Sequence, residues 1–263
     1  MTEEILRSSN KKVLTIHGIP TDTYPGKDVL EHVDMIVAPY DYEGEILKRI
    51  YGIRPIIIHH GVDPLLFNNN ISTNTAKRAF NLPEDKKILS WVARFDIAKK
   101  PWIFLNAISQ ILKDICDVIV LMFARSVNKN LFYKLQYVVN NLKMKYKNRF
   151  RFNKRWIPYI KMPLLYRASN VYISTGIGGI DLIEAVACNS IVVAEENPIS
   201  REVLGSTGYY YRGVEELVES IYKAISTSRE KLREVQENRI YEYKGLWNIA
   251  AKNYIERIYY KLI

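Results

Sequence analysis

The sequence predicts an α/β fold built on parallel sheet, and three observations carry that reading. Segments with strand character alternate with segments of helical periodicity along nearly the whole chain. The run DVIVLMFA (117–124) is apolar without alternation, as strands covered on both faces are. A length of 263 residues at 48% hydrophobic content is enough for a substantial core, in one large domain or two. Strands and helices in this succession form parallel sheets with right-handed crossovers.

In chain order, KVLTIHG (12–18) reads as a strand. A short helix from 29, a strand at 34–38 and a helix to 52 follow. RPIIIHHGVDPLLF (54–67) reads as a strand, a glycine turn and a loop. KKILSWVARF (86–95) is a strand. In 100–114, Ile103, Ala107 and Ile111 with Phe104 and Ile108 keep helical spacing. Residues 129–147 form a helix with a core stripe of Leu131, Leu135, Val138 and Leu142. Strands are expected at 149–152, 171–174, 190–194 and 208–211 with helices between them, and the tail from 213 to 262 is helical.

Composition excludes several classes. No apolar run reaches membrane-spanning length, and MTEEILRSSNKK does not read as a signal peptide, so the expected location is the cytoplasm. Cys116 and Cys188 sit in apolar segments and read as reduced core thiols. No His/Cys cluster has zinc spacing, and His59 and His60 point to opposite faces of a strand-like run. The net charge is +10, and the stretch from Lys129 to Arg167 holds eleven Lys/Arg and no Asp/Glu. It is either a solvated basic face or a surface for anions: nucleotide phosphate, anionic lipid or nucleic acid.

Ligands bind parallel sheets at the carboxyl ends of the strands. Gly178 and Gly179 fall there, after NVYIS and before IDLIEAVA. Glycine lets the backbone approach a ligand, and a helix N-terminus favours phosphate. Glu184 lies one turn into that helix among apolar residues and needs a partner, either ribose hydroxyls or a cation on a neighbouring loop. Asp181 shares its face, as a sugar contact or as an ordinary N-terminal helix charge. Arg94 and Lys99 follow the strand 86–92 at the same edge, where two cations could neutralise a diphosphate leaving group.

The ordered set HHGVDPLLF, WVARFDIAKKPWIFLNAI, MPLLYRASNVYIS and DLIEAVACNSIVVAEENPISREVLGSTGYYY, preceded by VLTIHGIP, resembles the retaining glycosyltransferases of family 4, from about Val13 to the C-terminus. The resemblance implies a GT-B-like α/β fold: a truncated N-terminal acceptor-side domain (1–65), a complete Rossmann-like nucleotide-sugar-binding domain (66–245), and a C-terminal helix (246–263) packing back toward the N-terminal part. It implies a metal-independent, hexosyltransferase-like enzyme, and the sequence has no Asp-x-Asp pair. Arg94 and Lys99 would hold the donor diphosphate, and Glu184 the ribose. The Gly179 and Ile180 amides would hold a phosphate, with Gly178 and Asp181 beside them. His17 would face the sugar; its plainer role is to cap a strand end. No cofactor or metal is implied, the nucleotide-diphosphate sugar being a substrate.

The sequence also departs from that family. Its first donor glutamate falls at Gly176, its usual aromatic at Gly178, and an apolar position at Asp181. Asn197 and Pro198 replace loop glycines, and Ala93 replaces another. About 60 residues precede HHGVD, whereas a whole domain needs on the order of 100. Two further readings therefore stand beside the enzyme. One is a nucleotide-sugar-binding or regulatory module, catalytically impaired and completed by a partner or by self-association. The other is a nucleic-acid binder using the 129–167 stretch with Tyr133, Tyr137, Tyr146 and Trp156, several of which fit core positions. A peripheral contact with anionic membrane is a partner that the charge allows.

Overall fold

A computed structural model describes residues 10–21 and 23–262 of the protein. The chain divides into two compact units. One runs to Asp63 and resumes at Tyr241; the other is Pro64–Ile240.

The first unit holds a three-stranded parallel sheet in the order β1 (Val13–Thr15), β2 (Met35–Ala38), β3 (Ile56–Ile57). Helices α1 (Lys27–Leu30) and α2 (Asp41–Tyr51) connect the strands. Gly52, at φ 71°, ends α2 in the left-handed conformation that side chains resist. Ile16, Leu30, Ile36, Ala38 and Leu47 pack together in one cluster. In a second, Val37 and Ile58 meet Ile258 from the end of the chain. The strand expected from residue 54 is only two residues long. Pro55 lacks a ladder donor, which confines such a segment to an edge.

The second unit holds six parallel strands in the order β6-β5-β4-β7-β8-β9. They are β4 (Lys87–Phe95), β5 (Val118–Ser126), β6 (Phe150–Asn153), β7 (Val171–Ser174), β8 (Ile191–Glu195) and β9 (Gly208–Tyr211). Their helices are α3 (Thr73–Arg78), α4 (Pro101–Asp114), α5 (Lys129–Tyr146), α6 (Met162–Ala168), α7 (Ile180–Ala187), α8 (Pro198–Leu204), α9 (Val214–Ser226) and α10 (Arg229–Glu242), with α11 (Trp247–Tyr254) following in the first unit. Of the apolar stripe of α4, Phe104, Ala107, Ile108 and Ile111 are buried and Ile103 is partly buried, and Phe104 stacks on Trp91 of β4 at 5.3 Å between centroids. Leu142 of α5 is buried, with Leu131, Leu135 and Val138 packed against the same core.

Two sequence expectations fail here. Cys116 is exposed, because it lies in the turn between α4 and β5; Cys188 is buried, and burial pushes its thiol up to about 12. Tyr133, Tyr137 and Trp156 are exposed rather than core. The two tyrosines sit on the face of α5 opposite its leucine stripe.

The N-terminal edge of this sheet is closed by long polar side chains. The buried Arg229 donates to the carbonyls of Asn189, Cys188 and Arg167. Those carbonyls lie at the ends of α7 and α6, where helices leave acceptors unsatisfied. Burial, then the nearby Arg167 charge, brings the Arg229 guanidinium down to about 9. Lys77 donates to the carbonyls of Glu84 and Lys86, each at 2.7 Å, and Gln236 to that of Ser190 at 2.8 Å.

Candidate functional site

The opposite, C-terminal edge gathers the loops that follow β4 and β7. They are tied together directly. Trp91 Nε1 donates to Thr175 Oγ1 at 2.8 Å, and Thr175 Oγ1 donates to the Lys99 carbonyl. Lys99 Nζ donates to the Ile177 carbonyl at 2.7 Å. Asp96 organises both predicted cations. One of its oxygens accepts the Lys99 amide at 3.0 Å, and the other pairs with Arg94 Nε at 3.0 Å. Arg94 is exposed, and Arg125 stands beside it in register on β5. Arg125 is not among the residues that the sequence singles out. Its signal is a basic residue ending an apolar strand, just as Arg94 does.

Gly176 is the position where the resembling family carries its first glutamate. Its φ is +75°, and a Cβ built there would lie 1.9 Å from the Ala98 carbonyl oxygen. No side chain fits unless the turn at 97–100 moves. The Gly176 amide donates to Glu195 Oε2 at 3.0 Å, and the other Glu195 oxygen pairs with Lys100. Glu195 is a second residue that the sequence does not single out. An acid ending the otherwise apolar IVVAE strand is its signal.

Gly178 is packed against Leu182, whose Cδ1 would lie 2.7 Å from an added Cβ. Gly179 caps α7 with no side-chain bond of its own. Its amide donates to Asp181 Oδ1 at 2.8 Å, while Asp181 Oδ2 accepts Tyr172 Oη at 3.0 Å and Ser174 Oγ at 2.9 Å. The chain's own carboxylate thus occupies an amide expected to hold phosphate. The Ile180 and Asp181 amides have no acceptor among the described residues. Asp181, given a choice between sugar contact and helix charge, is held as a tie between β7 and the start of α7.

Glu184 is buried on α7, and its partners among the described residues are two tyrosines rather than a cation. Tyr159 Oη donates to one carboxylate oxygen at 2.9 Å and Tyr166 Oη to the other at 3.1 Å. Burial pushes the carboxyl up to about 7, and the Asp181 charge adds to the rise while the tyrosine bonds oppose it. Tyr166 is fully buried, so its phenol is raised well above its usual value. Tyr159 is half exposed. A diol reaching Glu184 would use the lone pairs that the two phenols leave over.

His17 lies in the first unit, exposed, two residues beyond β1. Its ring stacks on His60 at 5.6 Å, and Tyr40 meets His60 edge-on at 5.8 Å. Burial, then the like charges of His17 and His59, lowers the His60 imidazole. His59 meets Tyr243 instead, at 4.7 Å between ring centroids.

The profile named "Glycosyl transferases group 1" matches residues 72–242. The chain belongs to that family. Its second unit is the part matched. A D-inositol 3-phosphate glycosyltransferase of Nocardioides sp. (strain ATCC BAA-499 / JS614) is 33% identical over 89 residues, 33% of this chain and 19% of that protein. The match thus covers about a fifth of the curated relative's length. Among solved structures, a glycosyltransferase from Rickettsia africae ESF-5 has a TM-score of 0.76 at 20% identity, over 95% of this chain and 70% of that one. Sucrose-phosphate synthase from Thermosynechococcus elongatus has 0.77 at 19%, over 99% and 70%. Anabaena Alr3699/HepE in complex with UDP and glucose has 0.73 at 16%, over 92% and 70%. These likenesses show the fold, an α/β fold of the GT-B glycosyltransferase type. Among the described residues no helix is long and apolar enough to cross a membrane.

Proposed function

We propose that this group 1 glycosyltransferase chain binds a nucleoside-diphosphate sugar along the C-terminal edge of its six-stranded sheet and transfers the sugar, with retention, to a hydroxyl acceptor. The supporting observation is the joining of Lys99, Arg94 and the 175–180 loop through Asp96, Thr175 and Ile177. The leaving diphosphate would lie against Arg94 and Lys99, with the Ile180 amide at the start of α7 adding a donor. Glu184 would take the ribose. The acceptor hydroxyl would attack on the face the diphosphate leaves, and a diphosphate oxygen would take its proton. No protein nucleophile and no metal enters this scheme. Its rate would come from charge stabilisation first and positioning second.

A specific observation favours a second reading. Gly176 admits no carboxylate, and Asp181 already sits on the Gly179 amide. Both suit a module that binds the nucleotide part and transfers slowly or not at all. Calorimetric titration with a panel of nucleoside diphosphates and their sugars tests both. Binding with slow hydrolysis supports the enzyme, binding without turnover the module, and no binding of any member removes both.

A further inference from the structure

The longest helix of the second unit, α5, presents a solvent face that the donor site does not use. Tyr133 and Tyr137 stand one turn apart on it, and Met144 continues the line two turns on, past the exposed Asn140. They are 69%, 74% and 69% exposed. Helical periodicity places Lys134 and Lys145 along one side of this line and Lys129 along the other, and all three are exposed. The leucine stripe on the opposite side anchors the helix to the core. The whole stretch from Lys129 to Arg167 contains no acid.

From this arrangement we propose that the outer face of α5 docks the protein on an anionic lipid bilayer. Tyrosine is an interfacial side chain, with an apolar ring and a polar tip. The methionine thioether is apolar and flexible, and enters acyl chain packing without a hydrogen-bond partner. Flanking lysines extend apolar stems along the same surface and leave their ammonium groups at headgroup level. A helix lying in the interface plane needs such an arrangement: an apolar line bordered by cations, met by negative surface potential. Charge complementarity makes the partner anionic. The class follows from the exposed line on one helix face, whereas binders of single-stranded nucleic acid hold the backbone in a basic groove.

The test is co-sedimentation of the intact chain with phosphatidylcholine vesicles, with and without phosphatidylglycerol. Binding is expected only with phosphatidylglycerol, and it should fall steeply once salt shortens the Debye length to about 8 Å. Each of Lys129→Gln, Lys134→Gln and Lys145→Gln should weaken partitioning about fivefold. Lys223→Gln, a charge loss on α9, should weaken it less than any of them. The triple variant Tyr133→Ser/Tyr137→Ser/Met144→Ser should lower partitioning about tenfold at unchanged charge, since apolar area leaves the interface. Its melting temperature should stay that of the wild type, because the three side chains are exposed. Absence of binding to phosphatidylglycerol vesicles at low salt overturns the proposal. So does wild-type partitioning by the triple variant. Displacement from vesicles by a single-stranded oligonucleotide whose own binding needs Tyr133 and Tyr137 would assign the face to nucleic acid instead.

Discussion

The two edges of the six-stranded sheet both use arginine and lysine, but to different ends. At the N-terminal edge Arg229 and Lys77 are buried and spend their donors on backbone carbonyls. At the C-terminal edge Arg94 is exposed with one carboxylate partner, and Lys99 is half-buried with its ammonium on the Ile177 carbonyl. The first set closes helix ends and loops. The second keeps guanidinium and ammonium donors turned toward solvent, where an anion can collect them. The contrast predicts stability without binding at one edge and binding with little stability at the other.

The largest effect is expected where the contrast is sharpest. Arg229→Met leaves the carbonyls of Arg167, Cys188 and Asn189 without their donor, and should destabilise the fold by about 3–5 kcal/mol. Urea denaturation measures this, and the fraction still folded should bind nucleoside diphosphate like the wild type. Loss of nucleotide affinity without loss of stability would reverse the roles given to the two edges.

Arg94→Ala is the mirror experiment. It should weaken nucleoside diphosphate binding by about 1.5–3 kcal/mol, the scale of a hydrogen bond to a charged group. Its exposed ion pair with Asp96 should change stability by no more than about 1 kcal/mol. Calorimetry and denaturation on the same preparation separate the two quantities.

Glu184 lies between these extremes, buried yet assigned to a ligand. Its native value of about 7 lies above the ordinary 4.5, so the folded state holds the proton more tightly than the unfolded state does. Between those two values the native state binds more protons. Stability from this group is therefore present at low pH and falls as pH rises through the window, by roughly 1–3 kcal/mol. Glu184→Gln should flatten that part of the stability–pH curve. A curve of unchanged slope would place the titration elsewhere.

The smallest effect belongs to Asp181→Asn. It removes one charged acceptor from the Tyr172, Ser174 and Gly179 set and should lower stability by about 1 kcal/mol. Nucleoside diphosphate should bind equally or more tightly, because a negative charge leaves the start of α7. Weaker binding of the nucleotide-sugar alone would return Asp181 to sugar contact.

Much of the framework is legible in the sequence alone. Periodicity locates α4 and α5 with their core stripes, and unbroken apolar runs mark β5, β7 and β8, because these signals are local. Lys99 and the glycine loop are legible from their place after strands, whereas Arg94, read as following a strand that ends at 92, lies within the paired length of β4. Other features depend on distance in the chain. The partners of Glu184 lie 25 and 18 residues away, and no spacing rule joins them. Gly176 is obvious as a glycine, but its closure depends on Ala98. Cys116 is misplaced by the apolar segments on either side of it, although Asp114 and Asp117 mark the turn in which it lies. Tyr133 and Tyr137 look like core residues by type, although the phase of the leucine stripe already sets them on the other face.

Gly176 also bears on how this chain can be changed. A glutamate installed there meets the Ala98 carbonyl before its carboxylate reaches anything. A library randomised at this position alone should favour glycine, since any side chain requires the 97–100 backbone to shift. Residues 97–100 must vary in the same clones, because the obstruction is backbone and not a side chain that can swing aside. The route to a fuller donor loop therefore passes through paired changes at 176 and in 97–100.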